Sequence, residues 1–170
     1  MGVVVWDSKE GVIHAAEYYL AADSYTVTAM AARINHFDEN LQRQKAINPE
    51  QVVDKFSDIK EMYFSEYASL PIAGHNVAFD VQFIKQLFLS CNRSYEKMFS
   101  HRVVDTYSII KFLSDCQLIP KSVNSSASAF KHFCIKVDGR HTALGDARAT
   151  AQLFRAFCYL CALCVVPLMP

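Results

Sequence analysis

The sequence predicts an α/β fold, and three observations carry that prediction. Short strand-like runs stand at residues 3–6, 12–20, 70–74 and 103–104. Apolar residues between and after these runs recur at helical spacing, so strands come first and then alternate with helices. The 170 residues show neither a repeat nor a linker, which suits a single domain over residues 1–170.

Each element has a local reason. Val3, Val4 and Val5 form a β-branched run, and Asp7, Ser8, Lys9, Glu10 and Gly11 make a turn. Residues 12–20 then return as the second strand of a hairpin. From residue 26 to about 69 the pattern is helical and polar. Asn48-Pro49-Glu50 opens a helix there, because Asn caps and Pro lacks only an N–H that the first turn would leave unpaired. Residues 70–74 are a short apolar run, expected as a buried strand. A helix follows over residues 80–90, with Phe83, Ile84, Leu87 and Phe88 at helical spacing and Lys85 and Gln86 on the other face. Val103-Val104 is a minimal strand, and residues 106–116, 122–133 and 143–160 are helices.

Composition narrows the function classes. The chain is 52% hydrophobic and 20% charged with 5 Gly and 5 Pro, which excludes a disordered, collagen-like or low-complexity protein. Lys+Arg and Asp+Glu both number 17, so no cation excess exists to capture a polyanion along its length. An enzyme that grips only a chain end stays compatible with that balance. The N-terminal residues have no basic region and no long apolar core, so no signal peptide is expected. Gly2 begins a myristoylation-like string that no Ser or Thr completes. Six Cys without secretory features read as reduced thiols, and a cytoplasmic location is expected.

Two stretches carry the residues with chemistry. In Ile72-Ala73-Gly74-His75-Asn76-Val77-Ala78-Phe79-Asp80, a short strand runs into a polar turn and then into a helix beginning at an aspartate. An Asp at that place projects from the edge of the sheet, where a metal can reach it. In Gly139-Arg140-His141-Thr142-Ala143-Leu144-Gly145-Asp146-Ala147-Arg148-Ala149-Thr150, a His on a flexible approach lies five residues before an Asp on a helix. That spacing lets Asp146 hold a metal while His141 overhangs the bound water.

These stretches, in this order, resemble the second and third motifs of the DnaQ-like (DEDDh) 3′-5′ exonuclease family. That family includes the proofreading subunit of bacterial replicative polymerase and RNase T. The matching patterns are "HN, two residues, then FD" and "H-x-A-x-x-D-A, then T"; Val104-Asp105-Thr106 looks like the family's strand-to-helix junction between them. The likeness runs over roughly residues 3–157, residues 26–35 and 48–67 loosely resembling the helices before the second motif. The resemblance implies a ribonuclease H-like mixed sheet flanked by helices. It also implies hydrolysis of a single-stranded nucleic acid, one nucleotide at a time, from its 3′ end. In the family four carboxylates hold two divalent ions, Mg²⁺ or Mn²⁺, which stabilise both the attacking and the leaving oxygen. Hard cations take oxygen donors, which suits aspartate rather than cysteine. Carried over, Asp80 and Asp146 are the catalytic metal ligands, and His141 is the general base that takes a proton from water. His75, Asn76 and Phe79 would bind the terminal nucleotide. The implied partners are a nucleic acid with a free 3′ end and, among proteins, a polymerase or a second copy of the chain; no membrane is expected.

One departure from the family matters. Its first motif, a strand ending in Asp-x-Glu, places two acids on one face of a strand. The nearest candidate, Trp6-Asp7-Ser8-Lys9-Glu10, holds its acids three apart and reads as a solvated turn. The following Val12-Ile13-His14 looks like the hairpin downstream of that motif, so a chain lacking the first strand of the sheet, by about 20 residues, is the expectation. The rival is an exonuclease-like binding module that does not cut.

Plainer readings apply elsewhere. His75 reads as a structural residue rather than a catalytic one, and Asp105 as a cap for the helix after it rather than a ligand. Cys158, Cys161 and Cys164 form a C-x₂-C-x₂-C run, but no fourth Cys precedes Pro167, so an apolar helix face is the expectation rather than an iron–sulfur site. The apolar tail, residues 156–170, is too short for a membrane span and reads as a packed last helix or a contact surface.

Overall fold

The computed structural model of the chain describes residues 1–34 and 37–164. It opens with β1 (Gly2–Asp7), β2 (Gly11–Glu17) and β3 (Tyr19–Leu20), then α1 (Ala29–Ile34), α2 (Glu39–Lys45) and β4 (Ala46–Ile47). Next come α3 (Pro49–Phe64), β5 (Leu70–Gly74), α4 (Val77–Ser90) and β6 (Phe99–Asp105). Three helices close it: α5 (Thr106–Asp115), α6 (Ser126–His132) and α7 (Ala143–Cys164). Among the described residues the strands form three two-stranded ladders, β1–β2 antiparallel and both β3–β4 and β5–β6 parallel. Both pairing modes of a mixed sheet are therefore present, with helices around them.

The chain divides into two compact units. The first comprises Met1 and Tyr18–Asp105. Its α3 starts as the sequence predicts, with the Asn48 N–H donating to Gln51 Oε1 at 3.0 Å and Pro49 at the first position. From α3 the buried stripe Val52, Val53, Phe56 and Ile59 meets Ile84, Leu87 and Phe88 of α4 in the core of this unit. Phe56, Phe88 and Phe99 form an aromatic cluster, with Phe56 and Phe99 edge-to-face at 5.5 Å and Phe88 and Phe99 at 5.7 Å.

The second unit joins Gly2–Glu17 to residues 106–170. The hairpin turn is fastened by Asp7, whose Oδ1 accepts the N–H groups of Lys9 at 2.7 Å and Glu10 at 2.9 Å. Those bonds hold the Asp7 carboxyl below its usual range. The face of α7 carrying Ala149, Leu153 and Phe157 is buried with Ile110, Leu113, Ala129 and Phe130. Trp6 of β1 lies beside Phe154 of α7, with ring centroids 6.2 Å apart.

Several boundaries differ from the sequence reading. Helix α4 begins at Val77, not Asp80, because Asn76 adopts a left-handed conformation (φ 57°) and serves as its N-cap. Asparagine tolerates that region better than most residues. Strand β6 is longer than Val103-Val104, since pairing with β5 extends it through polar residues that carry no apolar pattern. Residues 26–69 also contain the short β4, α6 is shorter than 122–133, and α7 runs on to Cys164. Phe83 is 60% exposed, so the buried face of α4 consists of Ile84, Leu87 and Phe88 with Val77. Cys158 and Cys161 are exposed while Phe157 is buried and Leu160 partly so, which puts the cysteines off the packed face. Residues 165–170 of the apolar tail, and Asn35, lie outside the described residues.

Candidate active site

In the first unit the parallel strands β5 and β6 end together, Gly74 opposite Asp105. The Asp105 carboxylate accepts the Asn76 N–H at 2.9 Å, pinning the β5–α4 turn to the neighbouring strand. Because the turn is left-handed at Asn76, α4 starts at once and Asp80 falls in its first turn. Its Oδ2 lies back over the start of the turn, 3.6 Å from where a Cβ on Gly74 would stand. Although Asp80 reaches solvent, partial burial desolvates its carboxyl and pushes its pKa up, opposed in part by a bond from its own backbone N–H. His75 is half-buried at the same turn. Phe79 is 69% exposed and packs on Phe83 one turn further, ring centroids 4.8 Å apart. His75, Asn76, Phe79 and Asp80 thus gather at one end of the β5–β6 pair.

His141 and Asp146 belong to the second unit. Here the chain approaches α7 through two left-handed residues, Gly139 (φ 70°) and His141 (φ 67°). The latter is costly for a residue with a Cβ, on the order of 1–2 kcal/mol. Thr142 secures the approach: its Oγ1 donates to the Gly139 carbonyl at 2.7 Å and accepts the Gly145 N–H at 3.1 Å. Gly145 is required on steric grounds, because a Cβ there would overlap the carbonyls of Asp138 and Gly139. Asp146 then faces the loop. Its Oδ1 accepts from Arg140 Nη1 and, at 3.4 Å, weakly from the His141 N–H. Arg140 also donates from Nη2 to Ser126 Oγ at 3.1 Å and lies over the Phe130 ring at 5.5 Å. The His141 side chain itself is exposed.

Three of these residues are given no part in the site by the sequence alone. Arg140 stood inside the quoted motif, but nothing in a linear sequence says that its guanidinium turns back onto Asp146. The role of Asp105 as a brace for the Asn76 turn spans 29 positions. Phe83 shared the helical period of the core residues, and only its exposure separates it from them.

Residues 21–154, most of the chain and both motif stretches, match the exonuclease family model RNase_T. The chain belongs to this exonuclease family. Two curated relatives are each named 3′-5′ exonuclease DinG. The one from Staphylococcus epidermidis is 30% identical over 115 residues, 66% of this chain and 12% of the relative. The one from Staphylococcus saprophyticus is 35% identical over 100 residues, 58% of this chain and 10% of the relative. This exonuclease-family chain therefore spans about a tenth of the length of the relatives it matches. Among its described residues no helix is long and apolar enough to cross a membrane, and no three His, Cys, Asp or Glu side chains gather as a metal site.

Proposed function

We propose that this exonuclease domain hydrolyses the terminal phosphodiester of a single-stranded nucleic acid, working from the 3′ end with divalent metal ions, in the cytoplasm. The observation that carries the reading is the placement of Asp80 in the first turn of α4 at the end of the β5–β6 pair, inside the stretch that matches the exonuclease family. Asp80 in the first unit and Asp146 in the second each present the hard oxygen donors that Mg²⁺ or Mn²⁺ takes. Two ions would draw on further donors beyond these. When bound, such an ion polarises the phosphoryl group and makes water a better nucleophile.

The chain's own residues would do the rest. His141 would accept the proton of the attacking water, as an imidazole can near neutral pH. The left-handed backbone at His141 sets that imidazole on an exposed approach to Asp146. Asn76 and His75 would orient the last nucleotide, and the exposed Phe79–Phe83 pair gives its base an apolar plane to stack on.

The test is cleavage of a 5′-labelled single-stranded oligonucleotide with Mg²⁺ or Mn²⁺, beside Asp146→Ala and His141→Ala. A ladder shortening from the 3′ end and lost in both variants is the expected result. No cleavage by a folded chain would sink the reading. A second reading, a binding module that does not cut, draws on the hairpin turn. There the nearest acid to the first motif, Asp7, has its carboxylate engaged by the N–H groups of Lys9 and Glu10. It predicts oligonucleotide binding without any ladder.

A further inference from the structure

The loop before α7 carries its own cation, and it is directed at the carboxylate the proposed chemistry needs. Arg140 Nη1 donates to Asp146 Oδ1, the same oxygen that receives the His141 N–H. The guanidinium is held from two further sides, by Ser126 Oγ at 3.1 Å and by the face of Phe130 at 5.5 Å. Phe130 is itself a core residue, 3% exposed, so the platform under Arg140 is rigid. The side chains of Arg140 and Asp146 are only 30% and 38% exposed, which limits screening of the pair.

We propose that Arg140 is a built-in competitor for the metal ligand Asp146: a tethered cation that a divalent ion displaces, its displacement repositioning His141. This rests on the reading of Asp146 as a metal ligand. The physical argument is one of exclusion. A carboxylate oxygen cannot present one lone-pair direction to both a guanidinium and a metal ion, and two cations at contact distance repel. Apparent metal affinity is therefore lowered by the fraction of molecules in which the bridge is closed. Because Ser126 and Phe130 hold Arg140 independently of Asp146, opening the bridge does not require the guanidinium to leave its platform. The His141 N–H shares the contested oxygen, so a change at Asp146 reaches the backbone of the proposed general base directly.

The experiment is calorimetric titration of Mn²⁺ alone into the full chain, Arg140→Met, Arg140→Gln and Asp146→Asn, each checked for folding by circular dichroism. If the bridge is closed in roughly nine molecules of ten, its loss tightens binding about tenfold. Arg140→Met is expected to bind Mn²⁺ about three- to tenfold more tightly than the parent, and Asp146→Asn to lose the saturable phase. Arg140→Gln, which keeps a polar head without charge, supplies the same comparison should the methionine variant not fold. Unchanged or weaker binding in the Arg140 variants, with binding still lost in Asp146→Asn, overturns the competitor role and leaves Asp146 as ligand. Undiminished binding in Asp146→Asn overturns the metal-ligand reading itself, and this proposal with it.

Discussion

Asp80 combines two properties that work against each other. Its carboxyl reaches solvent yet is partly desolvated, which raises its pKa, so ionising it in the folded chain costs more than in the unfolded chain. The sign follows from linkage. Over the interval between the ordinary value and the raised one, the folded state binds more protons, so stability falls as pH rises through that interval. Above it, the ionised Asp80 is a standing burden on the fold. Asp80→Asn is therefore expected to raise the melting temperature at pH 7, to leave it unchanged or lower below pH 4, and to end cleavage. Thermal denaturation at the two pH values checks the first part, and an Asn variant no more stable than the parent at pH 7 would contradict it. Asp7 has the opposite character. Its pKa is lowered by the Glu10 and Lys9 N–H groups, so its contribution is present at neutral pH and lost as pH falls through its lowered value.

At the scale of the element, the start of α4 is decided by one backbone angle. Asn76 at φ 57° lets the helix begin at Val77, which puts Asp80 in the first turn instead of ahead of it. Asn76→Gly should keep that geometry and the stability of the chain, whereas Asn76→Ala should cost about 1 kcal/mol in urea denaturation. Equal stability of the two variants would refute the strained-turn account. In α7, Leu153 is 0% exposed at the centre of its cluster, and Leu153→Ala should cost about 2–5 kcal/mol. How much of this was legible differs by element. The hairpin, the Asn48-Pro49 helix start and the strand at 70–74 follow from local chemistry, since each is fixed by neighbours a few residues apart. Strand β6 was legible only as Val103-Val104 because the rest of it is held by pairing with β5, a partner remote in sequence. Both motif stretches could be read, with His141, Asp146, Asp80 and the residues beside it. Their supports could not, because the Arg140–Asp146 and Asp105–Asn76 bonds depend on how loops fold back.

For the whole molecule, the balance of 17 basic and 17 acidic residues bears on how a nucleic acid is held. A chain with no cation excess neutralises few phosphates, so few counterions are released on binding. With one or two phosphate contacts, affinity for an oligonucleotide should fall by about tenfold or less between 50 and 200 mM salt. Fluorescence anisotropy across that range measures it, and a fall of a thousandfold would show an electrostatic grip that the composition does not supply. Phe79→Ala should weaken binding at both salt concentrations alike, because stacking carries little charge.

The second unit joins two stretches that lie far apart in the sequence. Its hairpin, residues 2–17, meets α7 only after the whole of the first unit has been made. During translation, at roughly 5–20 residues per second, β1 and β2 leave the ribosome and then wait about 10–30 s for the helix that covers Trp6. Of these two pieces, the hairpin is thus made well before the helix that secures it. A stop anywhere before residue 143 would disable the N-terminal hairpin as surely as the helix it deletes, and would leave it open to proteases in the interval.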